Sequence, residues 1–313
     1  MTTDFILTEG CESAAVPERT LAGRTLLMSG GSRGIGLAIA LRAAADGANI
    51  AILAKTGEPH PKLEGTIYTA ADQIDEVGGH ALPILGDVRD EQSVAEAVSR
   101  TAETFGGIDI VVNNASAIDL SKTDDLAMKK FDLMQSINAR GSFLLAKTAL
   151  PHLRKSTAAH ILTLSPPLNL NPRWAGEYLG YTMAKYGMSL VTLGLAEELK
   201  ADGVAANSLW PKTTIGTAAV ANILGGEALM ARSRSPQIVS DAAWAILTRD
   251  PRAVSGNFFI DEEVLREEGT TDFSVYRYGS APHGAEGSGA SIRSGEDGLS
   301  GEDGLERDLF LDE

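Results

Sequence analysis

A short apolar run that passes at once into a glycine-rich turn and then a small-residue helix leaves this chain few ways to fold. Thr25–Ser29 (TLLMS) reads as a strand, and Gly30-Gly31-Ser32-Arg33-Gly34-Ile35-Gly36 opens an alanine-rich helical pattern that runs to about Gly47. Glycine permits the tight turn, while backbone N–H groups and the helix N-terminus together suit a pyrophosphate. A glycine triplet alone is a weak signal. Between a strand and a helix it points to nucleotide binding, with Gly30, Ser32, Arg33, Gly34, Ile35 and Gly36 as the expected contacts.

The alternation continues. Further strands are expected at 50–54, 81–85, 108–113, 160–164, 204–209 and 257–260, with helices at 66–78, 90–105, 123–138, 141–155, 178–202 and 240–247. Short apolar strands alternating with helices imply a parallel sheet covered on both faces. The expected class is α/β, a Rossmann-type doubly wound sheet in a three-layer α/β/α arrangement, with ligands beyond the carboxyl ends of the strands. One domain is expected over 21–279, with residues 1–20 as a loose polar arm. Residues 280–313 hold nine acids against Arg293 and Arg307 and repeat SGEDGL twice. Such a segment has too little apolar surface to offset its ordering entropy, so a disordered acidic tail is expected. Within it, Leu309-Phe310-Leu311 stands out as a short docking motif.

The net charge of −15 argues against a nucleic-acid partner. Cys11 is the sole cysteine, and the five histidines never pair at ligand spacing, so no metal site is expected. No run of eighteen apolar residues occurs, and Met1–Gly10 lacks a basic region followed by an apolar one. A soluble, cytoplasmic chain without a membrane span or secretory leader is expected.

The second strand ends Ala54-Lys55-Thr56, without the acid that would hold the ribose hydroxyls of NAD. With Arg33 in the glycine turn, the two cations Arg33 and Lys55 suit a 2′-phosphate. NADP is therefore favoured over NAD, unless both are plain solvated charges. Asp87, in Gly86-Asp87-Val88, either meets the adenine edge together with Val88 or caps the next helix. Asn114 and Ala115 after the fourth strand either brace the crevice wall or touch the cofactor through backbone.

The sharpest constellation is Tyr181-Thr182-Met183-Ala184-Lys185. Positions i and i+4 share a helix face. A lysine beside the phenol lowers its pKa from about 10 and makes it a usable acid or base. Tyr178 and Tyr186 are followed four residues on by Thr182 and Leu190, so neither has this partner. A surface Tyr–Lys pair is the plainer reading of the spacing alone. Ser165 precedes Pro166, which favours extended backbone. Its hydroxyl either faces the crevice, where it could stabilise a developing alkoxide, or simply ends the strand.

With these motifs in order, the sequence resembles the short-chain dehydrogenase/reductase superfamily over about 21–260: Gly30-x3-Gly34-x-Gly36, Asn113-Asn114-Ala115, Asn138, Ser165 and Tyr181-x3-Lys185. The resemblance implies hydride transfer between a nicotinamide and an alcohol or carbonyl carbon. It implies Tyr181 as acid/base, Lys185 as its tuner and ribose holder, Ser165 as carbonyl orienter and Asn138 as holder of a relay water. It also implies nicotinamide contacts at Pro211 and Thr213, and a homodimer or homotetramer packed through the helix of 178–202. The sequence departs from the family in a sixteen-residue Ser165–Tyr181 interval, in Pro211-Lys212 where Pro-Gly is usual, and in Ser116 in place of a frequent glycine.

Within the superfamily the sequence resembles the hydroxysteroid dehydrogenase-like protein 2 type. The shared stretches are Ala54-Lys-Thr with Pro59-His-Pro-Lys-Leu63, Leu164-Ser-Pro-Pro-Leu-Asn-Leu170, Leu209-Trp-Pro-Lys-Thr213 and Gly256-Asn-Phe-Phe-Ile-Asp-Glu262. Longer members carry a C-terminal sterol-carrier lipid domain; here an acidic tail is expected instead. A small apolar alcohol or carbonyl of lipid, terpenoid or steroid kind is the implied substrate. Two other readings stand beside this one: a nucleotide-binding regulator without catalysis, and a scaffold that uses the acidic tail to hold a basic partner.

Overall fold

Strand-forming segments that are apolar on both faces need helices above and below, and the computed structural model, which describes residues 19–59, 64–279 and 304–311, has that form. Strands β1 (Thr25–Ser29), β2 (Asn49–Ala54), β3 (His80–Leu85), β4 (Ile110–Asn113), β5 (His160–Thr163), β6 (Ala205–Trp210) and β7 (Phe258–Ile260) make one sheet. Its order is β3-β2-β1-β4-β5-β6-β7, and every pairing is parallel. The order reverses between β1 and β4, whose register puts Ser29 opposite Asn113. The turns leaving those two strands therefore face each other across the switch-point crevice.

Between the strands run α1 (Gly34–Ala44), α2 (Ile67–Glu76), α3 (Glu91–Phe105), α4 (Met128–Gln135), α5 (Gly141–Leu153), α6 (Pro172–Glu177), α7 (Leu179–Glu198), α8 (Gly226–Ala231), α9 (Gln237–Leu247) and α10 (Asp261–Glu267). Side-chain alternation divides the core. Leu26, Met28, Ile50, Ile52 and Val112 pack with Ile39, Ile67 and Ile246 on one face. Leu27, Ala51, Leu53 and Val111 pack with Val94, Leu145 and Leu195 on the other.

The strand positions agree with the sequence reading to within a residue or two. The helix expected at 123–138 begins at Met128, and its end is a π-helical turn, Ser136–Arg140, that flows into α5. Helices α6, α8 and α10 were not expected. The acids of the first turn of α10, Asp261, Glu262 and Glu263, match a helix N-terminus.

The acidic tail departs from expectation in part. Residues 280–303 lie outside the described residues, as do 1–18 of the arm. Residues 304–311, expected to be disordered, instead pack against the body, with Leu305 and Phe310 buried. Leu305, Leu309, Phe310 and Leu311 supply the apolar surface for this packing. At the other end Arg19 is tied down, donating to Glu268 at 2.7 Å and to the Ala245 carbonyl at 2.5 Å.

Candidate active site

The glycine turn is fixed by contact rather than by flexibility. Gly30 and Gly34 have φ of 74° and 56°, a region that disfavours side chains. A Cβ on Gly30 would lie 2.9 Å from Ala115 Cα, and one on Gly36 would lie 2.5 Å from Asn114 Nδ2 and 2.6 Å from Gly30 O. Asn114 Nδ2 donates to Gly30 O at 2.8 Å, and the N–H groups of Asn114 and Ala115 donate to Ser29 Oγ. Bracing is thus the role the structure displays for Asn114. Ser32 is buried, and its carbonyl abuts Gly65, where a Cβ would come within 2.8 Å. Ile35 packs sideways onto the core.

Arg33 Nη2 donates to Gly65 O at 2.7 Å, while its Nε is buried without a hydrogen-bond partner. A groove of about 430 Å³ is lined by Arg33, Lys55, Thr56, Glu58, Tyr68 and Leu85. Both cations expected to meet a phosphate therefore share one groove. Asp87 pairs with Arg89 at 2.6 Å and with Lys55 at 3.3 Å. The Arg89 hydrogen bonds, aided by Lys55, hold its carboxyl well below the usual carboxylate range. Asp87 does not cap α3; Asp90 does, accepting from Ser93 N at 2.7 Å. Val88 lies buried against Gly141, where a Cβ would come within 3.0 Å.

Asn138 sits in the π-helical turn and is fully buried. Such turns recur at functional positions. Its Oδ1 accepts from Ala117 N at 2.8 Å and its Nδ2 donates to Ala117 O at 3.1 Å. The side-chain amide therefore braces the loop after β4.

Tyr181 and Lys185 lie on one face of α7, 5% and 3% exposed. Lys185 Nζ donates to Leu164 O at 2.8 Å and lies 5.0 Å from the Trp210 ring centroid. Burial lowers its pKa to about 7, with the Asp308 charge opposing. Burial pushes the Tyr181 phenol up, and Asp308 adds to the rise. The expected lowering of the phenol by Lys185 is absent here, because burial of the phenol is the main cause acting on it.

Ser165 lies two residues beyond the end of β5. It is 0% exposed, its Oγ shares a hydrogen bond with Ser208 Oγ at 2.8 Å, and Ser208 Oγ donates to Thr192 Oγ1 at 2.9 Å. The hydroxyl is thus held between the carboxyl end of β5, β6 and α7. Beyond β6, Pro211 is buried, and Thr213 is 6% exposed with Oγ1 lacking a partner. A dinucleotide fits these residues: a glycine turn with no room for a Cβ at Gly30 or Gly36, and two buried polar atoms, Arg33 Nε and Thr213 Oγ1, left without partners. Among the described residues no group of three His, Cys, Asp or Glu side chains could hold a metal ion. No helix among them is long and apolar enough to cross a membrane.

Comparison with known proteins decides the family. The short chain dehydrogenase family model matches residues 24–227. The chain belongs to the short-chain dehydrogenase family. Hydroxysteroid dehydrogenase-like protein 2 of Xenopus tropicalis is 57% identical over 256 residues, 82% of this chain and 61% of that protein's length. This identity places the dehydrogenase with that type, although it spans less than two thirds of the relative. A short chain dehydrogenase from Mycobacterium thermoresistibile is 50% identical with a TM-score of 0.82, covering 94% of this chain and 96% of that one. A short chain dehydrogenase from Burkholderia cenocepacia J2315, in complex with NADP, is 29% identical with a TM-score of 0.66, covering 78% of this chain and 97% of that one.

One part of the site escaped the sequence reading. Asp308, half-buried, reaches the surroundings of both Tyr181 and Lys185, and burial pushes its carboxyl up to about 7. The apolar triplet Leu309-Phe310-Leu311 was the one available signal of it.

Proposed function

We propose that this dehydrogenase uses NADP to oxidise an apolar alcohol or reduce the matching carbonyl compound. The observation that carries the reading is the Tyr181–Lys185 pair on one face of α7, buried at the carboxyl ends of β5 and β6. NADP, when bound, supplies the nicotinamide that gives or takes the hydride. The rest belongs to the chain. Tyr181 Oη exchanges a proton with the substrate oxygen. Lys185, with a pKa near 7 in its buried place, carries or releases a proton beside it at working pH. Gly30, Ser32, Gly34, Ile35 and Gly36 hold the pyrophosphate, Arg33 and Lys55 the 2′-phosphate, Asp87 and Val88 the adenosine side, and Asn114, Ala115, Pro211 and Thr213 the nicotinamide side.

The relative in complex with NADP supports this cofactor, as does the Arg33–Lys55 groove without an acid at the tip of β2. The aromatic surroundings of Tyr181, namely Trp174, Trp210 and Tyr186, support a lipid-, terpenoid- or steroid-like substrate. A homodimer or homotetramer is supported by Leu179, Met183, Leu190 and Leu193 of α7 and Phe143 of α5, all 43% exposed or more. The test is a panel of aliphatic, terpenoid and steroid alcohols and aldehydes with NADP and NAD, followed by absorbance near 340 nm, on parent and Lys55→Asp. Turnover with preference for NADP, reduced selectively by the substitution, is expected. No turnover across the panel, or an equal loss with both cofactors, counts against the reading.

A further inference from the structure

The segment 304–311 returns to the molecule beside Tyr181. It is pinned along the loop that follows β6: Thr214 N donates to Glu306 O at 2.9 Å, Glu306 N to Arg232 O at 3.0 Å and Asp308 N to Lys212 O at 3.1 Å. Thr213 and Arg307 pair antiparallel, as in a short added strand. Beyond that pairing the chain bends through Phe310, whose φ of 73° is the one positive value at a non-glycine among the described residues. A bulky side chain holds that conformation only where its surroundings impose it.

The bend delivers the Phe310 ring inward. It is 1% exposed, and its centroid lies 5.3 Å from that of Tyr186, 6.1 Å from Tyr181 and 6.0 Å from both Trp174 and Trp210. Polar groups of the site hold its main chain. Asn169 Nδ2 donates to Phe310 O at 3.2 Å and Trp210 Nε1 to Leu309 O at 2.9 Å. A second groove, of about 370 Å³, runs alongside and is lined by Pro167, Lys212, Glu263, Arg307, Phe310 and Leu311. An apolar ring packed on the phenol of the acid/base tyrosine occupies space that a substrate's carbon skeleton needs, and an amide already donates to a carbonyl there.

We propose that Gly304–Leu311 is a built-in occupant of the substrate cavity: Phe310 fills the apolar subsite beside Tyr181, and a substrate with a benzyl-sized or larger apolar group binds by displacing it. The proposal rests on the reading of Tyr181 as the acid/base and adds to it the subsite, the substrate class and a self-limiting control. Being part of the same chain, the segment competes at high local concentration. Apparent affinity for any ligand of the cavity then falls with the fraction of chains left open.

The test uses the full chain and a dye, 8-anilinonaphthalene-1-sulfonate, as the apolar probe. Phe310→Ala is expected to bind it at least about tenfold more tightly than the parent, as loss of a buried phenyl ring from the competitor implies. The peptide Gly-Leu-Glu-Arg-Asp-Leu-Phe-Leu, added in trans, is expected to expel the dye from the variant. The same peptide with alanine for phenylalanine is expected to leave it bound. In the parent, saturating dye should speed trypsin cleavage after Arg307, read by mass spectrometry. This last measurement stands even if Phe310→Ala folds poorly. Equal dye affinities, dye that the peptide cannot displace, or an unchanged cleavage rate would each show that Phe310 is fixed core and overturn the proposal. None of these measurements needs cofactor or turnover, so their failure is distinct from failure of the dehydrogenase assay.

Discussion

Replacing Glu262 with alanine would remove one carboxylate from beneath three cations. Its Oε1 accepts from Lys212 Nζ at 2.6 Å and Arg266 Nη2 at 3.0 Å, and its Oε2 lies 2.5 Å from Arg234 Nη1. The side chains of Glu262 and Arg234 are 4% and 3% exposed. Breaking a buried pair by deleting one partner costs about 3–5 kcal/mol, because the other charge stays desolvated. At about 2–4 °C per kcal/mol for a chain of this size class, scanning calorimetry at neutral pH should register a fall in Tm of about 6–20 °C. Burial works against the Glu262 charge, yet hydrogen bonds from Lys212, Arg234 and Arg266 prevail and hold its pKa at about 2, below the ordinary 4.5. A depressed carboxyl contributes stability above its unfolded value and loses it as pH falls through its folded one. The gap between parent and variant should therefore shrink between pH 4.5 and about 2. Glu262→Leu combined with Arg234→Met should cost less than Glu262→Ala alone. A loss below about 1 kcal/mol for Glu262→Ala would refute the argument and leave the stacking of Arg234 on Phe273, at 5.2 Å, as its main support.

Tyr181→Phe keeps the buried ring and removes only the hydroxyl, so kcat should fall by about 10²- to 10⁴-fold with NADP affinity, measured by calorimetry, nearly unchanged. Lys185→Ala should reduce both. Gly36→Ala places a Cβ 2.6 Å from Gly30 O; the turn must shift, and NADP binding should weaken at least about tenfold, a displacement of the helix N-terminus that normally receives the phosphates. His160 is buried with Nε2 on the Arg249 carbonyl and Nδ1 unpartnered, and burial lowers its pKa from 6.5 to about 4. Its contribution, about 3 kcal/mol, is present above pH 6.5 and lost as pH falls toward 4. The Tm of His160→Gln should depend less on pH across that window than the parent's, and equal slopes would exclude the effect.

The sheet was legible in the sequence because its strands are buried on both faces and bounded by glycine or polar residues, as in Thr25–Ser29 before Gly30. The glycine turn was legible for the same reason, since strand, turn and helix are contiguous. What local pattern could not convey was direction and long-range company. Nothing in Leu164-Ser165-Pro166 says that the hydroxyl turns toward Ser208, a contact spanning 43 residues. Nor does the i, i+4 spacing of Tyr181 and Lys185 reveal how deeply both are buried, and burial reversed the expected direction for the phenol. Phe310 lies 129 residues from Tyr181 in the sequence, inside a stretch whose average composition hid its apolar end.

The chain of hydroxyls from Ser165 through Ser208 to Thr192, with Ser189 Oγ donating to Pro166 O at 2.6 Å, works as a rivet between α7 and the sheet. One end lies just beyond β5, the other on α7. The depth of the phenol is therefore set by strand and helix, independently of how much chain passes between them. Residues 167–180, which include α6, run between two fixed anchors and need not themselves set that depth. Variation in what the protein accepts can then accumulate in that loop while the chemistry stays where the sheet holds it.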